Sequence, residues 1–370
     1  MNRTQSILGV LAALCLLSAC EEKKTSETTA LADDGGAANT AAVDPSLAQA
    51  FAAASARPGT ATTPQQKGGP PENGVFAPGQ ADRELAPNAP PKVAVGEAGT
   101  DPKIDLSKMV PAPGWKRSGS VQLVIQSDPR QGALPVDFNV TLEVQKPKAP
   151  VEGGPAAQPV AAGTQIVARI TGARVGARGG AGGDLDQALK KLAGSRIEYR
   201  ALPSGGGADY RYELAKGADA GLGDLMRSLS EILATVSVPF PSQPIGAGGM
   251  FMATTRDSAR GVDLVSYRLV KVERVSDSGI GVALNTKRYA TGTRFDMPGL
   301  QGAENMPLDE FKSVADGSLF FEQGVPVPVS GEITLGLQAL LVPPGQPTQR
   351  ASVQAQTHAT INFEKAKPAH

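Results

Sequence analysis

One stretch, Val262–Tyr289, sets the architecture of this chain, and it reads VDLVSYRLVKVERVSDSGIGVALNTKRY. Its first half is the longest strand-like run in the sequence and is rich in valine and leucine. Turn-forming residues follow at Ser276–Gly279, and a second strand-like run occupies Ile280–Tyr289. Two such runs joined by a short turn predict an antiparallel β-hairpin. We therefore expect a sheet-based domain that contains this hairpin.

Basic side chains are concentrated on the hairpin. They are Arg268, Lys271, Arg274, Lys287 and Arg288, and Asp263 and Glu273 counter them in part. Two interpretations are open. The basic residues form a patch that binds anionic headgroups or cell-wall polymers, or they are charges on an exposed sheet face that keep the protein soluble.

Strand signals continue on both sides of the hairpin. Apolar and polar residues alternate along Val136–Val144, along Ile333–Leu341 and along Val353–Phe363. Such alternation is typical of half-buried strands. About ten strands are predicted in all, and the Pro/Gly-rich turns between them favour antiparallel pairing. An irregular segment is predicted after the hairpin as far as Val314, and strands resume at Ser318.

One segment, Leu222–Val236, predicts the main helix. Its apolar residues recur at helical spacing and share one face. They are Leu222, Leu225, Met226, Leu229, Ile232, Leu233 and Val236. An apolar stripe of this kind packs on a sheet, or it lines a site for a bound lipid. A shorter helix is predicted at Asp184–Leu192.

The sequence predicts an α+β domain, because its strands are joined by turns that favour antiparallel pairing and its helices must cover an apolar face. We expect one large twisted antiparallel sheet, and an open half-barrel is one form that such a sheet takes. The amphipathic helix Leu222–Val236 is expected to pack on it.

The N-terminus carries an export signal. Arg3 precedes an apolar run at Ile7–Leu17, which is too short to span a bilayer. The run ends in LSAC, residues 17–20. This ending resembles the lipobox of bacterial lipoproteins. The resemblance implies that residues 1–19 are a signal peptide, that the chain is cut before Cys20, and that lipid is attached to the Cys20 thiol.

Lipoprotein processing removes Cys15 with the signal peptide, so the mature chain has one cysteine and forms no disulfide. Its partner is a membrane, bound through the acyl-cysteine. Glu21 follows Cys20, and in well-studied Gram-negative bacteria an aspartate there favours the inner membrane. We therefore expect the cell envelope, with a lipid anchor in the outer membrane at its periplasmic or its surface face.

The rest of the chain falls into three parts. Residues 20–113 are rich in Ala, Gly, Pro and Thr, and this composition predicts a disordered tether. Strand signals begin near Trp115, so a single globular domain is predicted at 114–366. Residues 367–370 are a tail.

A glycine-rich run joins the main helix to the hairpin. It reads PSQPIGAGGMF at Pro241–Phe251. This run and the strand after it resemble a motif of uncharacterised secreted bacterial lipoproteins, in which a Pro-Val-Gly-x-Gly sequence leads into a strand that bears a tryptophan. Phe251 occupies the position of that aromatic residue. The resemblance extends over residues 195–290 and implies no catalytic role, since the family has no assigned activity.

Composition argues against several classes of function. The chain has 36 basic and 36 acidic residues, whereas nucleic-acid-binding proteins carry a clustered basic excess. It has two histidines, and it contains no P-loop, nucleophile-elbow or His-Glu-x-x-His motif. We expect a protein that is not an enzyme, uses no cofactor or metal and binds no nucleic acid.

Three functions stay open for such an envelope lipoprotein. In the first, the domain is non-catalytic and binds a hydrophobic or amphiphilic ligand, or an envelope protein partner. In the second, it is structural, with sheet and helix closed on a dry core, and it acts through its tether and loops. The third is a hydrolase of envelope polymers that uses a carboxylate pair assembled in space. The sequence favours the first function and leaves the oligomeric state open.

Overall fold

The computed structural model of the chain describes residues 70–106, 111, 113–126, 132–145, 163–176, 183–259, 262–292, 306–343 and 345–364. Cys20, the predicted signal peptide at 1–19, the part of the predicted tether up to residue 69 and the predicted tail at 367–370 lie outside these residues. Residues 70–370 belong to one compact unit.

The described residues form three α-helices and fourteen β-strands. The helices are α1 (Gln80–Glu84), α2 (Asp184–Lys190) and α3 (Gly223–Val236). The strands are β1 (Lys92–Glu97), β2 (Thr100–Ile104), β3 (Lys116–Gln126), β4 (Leu134–Val144), β5 (Thr164–Val175), β6 (Arg196–Ala201), β7 (Gly207–Glu213), β8 (Ile245–Ala247), β9 (Met250–Ala259), β10 (Val262–Ser276), β11 (Gly279–Ala290), β12 (Leu308–Glu322), β13 (Ser330–Leu341) and β14 (Ala351–Phe363).

Twelve strands form one antiparallel sheet in the order β1-β9-β10-β11-β12-β13-β14-β3-β4-β5-β6-β7. The sheet is open, with β1 and β7 at its edges, and β2 and β8 pair separately. The predicted fold class is confirmed: an α+β domain with a large antiparallel sheet, an open form rather than a closed barrel, and one main helix.

The predicted hairpin is β10 and β11. The two strands pair from Leu264 opposite Ala290 to Ser276 opposite Gly279, with one bulge between Val272 and Arg274. Successive residues of a strand point to opposite faces of the sheet. Leu264 and Val270 therefore share the inner face, which packs on α3, whereas Lys271 lies on the outer face and is exposed.

The main core lies between α3 and the inner face of the sheet. The apolar stripe of α3 is buried there, with Met226, Leu229, Ile232, Leu233 and Val236 each fully shielded from solvent. Each such side chain contributes about 1.5–3 kcal/mol through burial. The sequence left two roles open for this apolar stripe, packing on a sheet or lining a lipid site, and these contacts favour packing on the sheet.

The folded unit begins earlier than predicted, so the boundary at residue 114 is wrong. β1 pairs with β9, and α1 is fastened to the outer face. Arg256 Nη1 contacts Asp82 Oδ1 at 2.5 Å, and Tyr267 OH donates to Glu84 Oε2 at 3.2 Å. This segment is too short and too polar to signal a strand by itself, because its partners lie far along the chain.

The glycine-rich run has a structural role in the described chain. A Cβ added to Gly246 would lie 1.8 Å from the carbonyl oxygen of Thr100, so only glycine allows β8 to approach β2 this closely. Phe251, the residue at the aromatic position, is buried, and its ring lies 5.9 Å from that of Phe240. The close approach of β8 to β2 and the burial of Phe251 are therefore both structural features of the core.

The predicted irregular segment before Val314 is shorter than expected. β12 begins at Leu308 and pairs with β13 through a bulge between Leu308 and Glu310. The bulge interrupts the alternation of apolar and polar residues from which the sequence signal is read.

Candidate functional site

A band of polar side chains crosses the inner face of the sheet on β9–β12. Strand register places Ser266 opposite Arg288, Arg268 opposite Thr286, and Arg288 opposite Ser313. We call this band the polar belt, and it comprises Thr255, Asp257, Ser266, Arg268, Thr286, Arg288 and Ser313. Because side chains alternate between faces, these residues project to the same side, toward α3.

Arg288 joins the polar belt to the middle of α3. Its Nη1 lies 2.9 Å from Glu231 Oε1, and the side chains of the two residues are 2% and 3% exposed. Arg288 Nη2 also donates to Thr235, one turn further along the helix. Removing both charges of an ion pair this deep in the core from water costs desolvation free energy. The close contact between the two charges and their hydrogen bonds offset that cost.

Arg268, which is buried, makes a second ion pair with the partly exposed Asp257 of β9. Its Nη2 lies 3.1 Å from Asp257 Oδ2 and 3.3 Å from the carbonyl oxygen of Ala234 on α3. Ser266 Oγ donates to Asp257 at 3.1 Å, and Thr255 accepts from Arg268 Nη1. Burial lowers the pKa of Arg268, which Asp257 opposes and Arg288 reinforces.

Four donors in the polar belt have no hydrogen-bond partner among the described residues. They are Arg268 Nε, Arg288 Nε, Thr286 Oγ1 and Ser313 Oγ, and all are buried. Nearly all buried polar groups in proteins are hydrogen-bonded to protein or to ordered water. The charges of the two arginines are balanced by the carboxylates of Asp257 and Glu231. The polar belt therefore does not lack negative charge, but it lacks hydrogen-bond acceptors for these four groups.

A second apolar cluster lies one row along the sheet from the polar belt. Leu264 belongs to it and is two residues from Ser266, and Phe311 is two residues from Ser313. Its buried members are Val75, Val262, Leu264, Ala290, Leu308, Phe311, Leu337, Ala339 and Leu341. All of these residues are at most 8% exposed, and none of them lies in a helix.

Two stacked tyrosines lie near the C-terminal end of α3. The rings of Tyr199 and Tyr210 lie 4.8 Å apart and are nearly parallel, and Tyr210 OH donates to Ser237 Oγ at 2.7 Å. Burial raises the pKa of both tyrosines. Burial likewise raises the pKa of Tyr267, with Glu84 adding to the shift, and that of Tyr289.

We expect the free energy of unfolding to fall as the pH rises above 10, the ordinary pKa of tyrosine. In the unfolded chain the tyrosines ionise there, whereas the folded chain keeps their protons. The stabilisation is complete below pH 10 and is lost above it, by about 1.4 kcal/mol per pH unit for the fully buried Tyr199. Urea denaturation between about pH 9 and 11 measures this slope. Tyr199→Phe should make the decline shallower, and an unchanged slope in that variant contradicts the assignment.

The basic hairpin patch does not exist as one surface. Arg268 and Arg288 are buried on the inner face, whereas Lys271, Arg274 and Lys287 are exposed. The cause is the two-residue period of a strand, since Arg268 and Lys271 are three residues apart and point to opposite faces. Arg268 is an even number of residues from Leu264 and Val270, so its side chain lies on the same face of β10 as theirs. This spacing is the signal in the sequence that Arg268 is an interior arginine.

The acidic partners were not predicted from the sequence. Glu231 lies outside the apolar stripe of the helix in the sequence, and Asp257 carries no signal of its own. Cys20, the predicted lipid-attachment residue, lies outside the described residues.

Within the described part of the chain, no helix is long and apolar enough to cross a bilayer. The same residues contain no group of three or more His, Cys, Asp or Glu side chains that could hold a metal ion. Comparison with protein-family models gives no match, and comparison with curated proteins gives none either.

Proposed function

We propose that this chain is a lipoprotein of the bacterial cell envelope, anchored through acylated Cys20, and that its domain binds an amphiphilic ligand without catalysing a reaction. The observation that carries the ligand is the juxtaposition of four unpartnered buried donors with a buried apolar cluster that contains no helical residue. The observation that supports the anchor is LSAC at residues 17–20, after a short apolar run.

The anchor follows from the chemistry of acyl-cysteine. Each buried methylene contributes about 0.8 kcal/mol, and stable anchoring takes two chains or more. A diacyl or triacyl Cys20 meets that condition. The residue after it is Glu21 rather than aspartate, which supports the outer membrane as the location.

The ligand follows from the chemistry of the inner face. The unpartnered groups are donors, so they match a head group that presents acceptors, such as an ester, a carboxylate or a phosphate. The neighbouring Leu264, Phe311 and Leu337 are apolar and buried, so an acyl chain would bind by inserting among side chains that already pack together. An amphiphile combines the two parts in one molecule.

A structural function is the second candidate, and a separate observation favours it. The contact between α3 and the sheet is filled, with Leu229, Ile232 and Leu233 all fully buried. A domain with a filled core would act through its tether and loops.

Titration with palmitate and with lysophosphatidylcholine separates the two candidates. The chain without its signal peptide and Cys20, residues 21–370, should bind at least one of these probes. The double variant Thr286→Val/Ser313→Ala removes two donors without disturbing an ion pair, so it should weaken binding by about tenfold, which is about 1.4 kcal/mol. Its stability should be unchanged or higher, because two unpartnered buried hydroxyls are replaced by apolar groups.

The matched control is Thr357→Val. Thr357 is also a buried inner-face threonine, but it lies on β14, outside the polar belt. This variant should bind both probes as the wild type does. Failure of the wild type to bind either probe, or equal affinity in the double variant, rejects the amphiphile site and leaves the structural function.

A further inference from the structure

The outer face of the sheet carries a groove that the amphiphile site does not use. The groove has a volume of about 420 Å³ and crosses β14, β3, β4 and β5. Its side chains are hydroxyls and amides, from Ser118, Ser120, Asn139, Thr141, Thr171 and Asn362, and Glu364 lies at one end. The groove is shallow and open to solvent, so a ligand bound there would be only partly buried.

Strand register builds the floor of the groove. Ser120 lies opposite Asn139 on one side and opposite Asn362 on the other, so three short polar side chains form one row. The pairing of β4 with β5 shifts by one residue between Asn139 and Val140, and Thr171 is the extra residue. A bulge of this kind bends the strand and hollows the surface.

Charged side chains lie on the outer face on both sides of the groove, beyond the residues that line it. On β4 the outward residues next to the floor are Asp137 at one end and Glu143 at the other. Asp137 Oδ1 accepts from Gln122 at 2.7 Å and Asp137 Oδ2 accepts from Arg174 at 3.4 Å, whereas Glu143 pairs with Arg169 at 3.0 Å. The carboxylates of Asp137 and Glu143 are therefore neutralised by Arg174 and Arg169, and the floor between these pairs is neutral.

Several groups on the floor remain available for a ligand. Ser118 and Thr141 hydrogen-bond to each other at 3.1 Å, and Thr171 donates to the backbone of Asn139. Among the described residues, no side-chain hydrogen bond is made by Ser120 Oγ or by the carboxamides of Asn139 and Asn362. Gly172 leaves the floor open, since a Cβ there would meet only Asn139 Nδ2, at 3.5 Å.

We propose that this groove binds a neutral glycan. Hydroxyl and carboxamide groups both donate and accept, as do the hydroxyl and acetamido groups of a sugar. Among the lining residues there is no cation for a phosphate, and the one apolar side chain, Val140, is only 1% exposed and offers little surface to an acyl chain. Glu364 adds an acceptor for sugar hydroxyls. This site is on the opposite face from the polar belt and stands independently of the amphiphile ligand.

The probes for this site are chitotriose and maltotriose, titrated into residues 21–370 and followed by calorimetry. The wild type should bind at least one of them, at a dissociation constant of about 1 mM or below. The variant Asn139→Leu/Asn362→Leu keeps the size of both side chains but removes their polar groups, so its affinity should fall at least tenfold.

The control Gln354→Leu makes a similar change on the outer face of β14, away from the groove, and should bind like the wild type. Thermal unfolding of all three proteins confirms that each is folded before binding is compared. The proposal is overturned by a wild type that binds neither trisaccharide, or by a double variant with unchanged affinity. Binding lost equally in the control variant also overturns it, because the loss is then not specific to the groove.

Discussion

Replacing Arg288 with Ala is expected to lower the free energy of unfolding by about 3–5 kcal/mol. Arg288 is the ion-pair partner of Glu231 at 2.9 Å, and the Glu231 side chain is 3% exposed. Removing the guanidinium takes the cation at 2.9 Å from the buried carboxylate of Glu231 and takes a donor from Thr235. The cost therefore comes from a buried charge that has lost its ion-pair cation more than from the lost packing contact. Urea denaturation at neutral pH measures it.

The double variant Glu231→Leu/Arg288→Met distinguishes charge from packing. Replacing a whole buried ion pair by apolar residues of similar size is often neutral or stabilising. We expect the double variant to recover most of the stability that Arg288→Ala loses. Lys271→Ala, at an exposed position on β10, should change stability by less than about 0.5 kcal/mol. A loss below about 1 kcal/mol in Arg288→Ala contradicts the described burial of the pair.

Replacing Cys20 with Ala is expected to abolish acylation of the chain. If the residues LSAC at 17–20 are a lipobox, Cys20 supplies the only thiol that receives lipid. Without acyl chains, the favourable transfer of about 0.8 kcal/mol per methylene is lost and the chain leaves the membrane fraction. Growth of bacteria with labelled palmitate, followed by recovery of the protein, measures incorporation. Fractionation after a salt wash measures attachment.

Cys15→Ala is the matched control, because Cys15 lies five residues before Cys20 in the part that processing removes. It should carry as much label as the wild type. Label that persists in Cys20→Ala shows that the lipid is elsewhere, and equal loss in both variants points to failed export rather than to a missing attachment residue.

The polar belt needs an explanation beyond stability. Two ion pairs lie on the inner face, Arg288–Glu231 and Arg268–Asp257. Each costs desolvation free energy that apolar residues at the same positions would not cost. Thr286 and Ser313 add buried hydroxyls without partners among the described residues. A site for the polar part of a ligand explains why such groups lie next to an apolar cluster.

Local signals in the sequence predict elements well when one element contains its own pattern. The hairpin β10–β11 and helix α3 are of this kind, because a two-residue period or a 3.6-residue period is complete within each. β1 is six residues long and pairs with β9, far along the chain. Its signal is therefore too short, and its place in the sheet depends on a distant partner.

The candidate sites depend on contacts between residues that are distant in sequence. The phase of β10 indicates that Arg268 lies inside, but the sequence does not identify Glu231 as the partner of Arg288, 57 residues away. The outer groove is similar, since Ser120 and Asn362 meet only because β3 and β14 are neighbours in the sheet. Strand order and register decide both sites, and neither is encoded in a short motif.

Native mass spectrometry of residues 21–370, purified from a bacterial periplasm, tests the amphiphile site most directly. We expect a population of the wild type with an added mass in the lipid range, and a loss of that mass in Thr286→Val/Ser313→Ala. A single unliganded mass for the wild type, unchanged after addition of palmitate or lysophosphatidylcholine, would contradict a ligand at the polar belt.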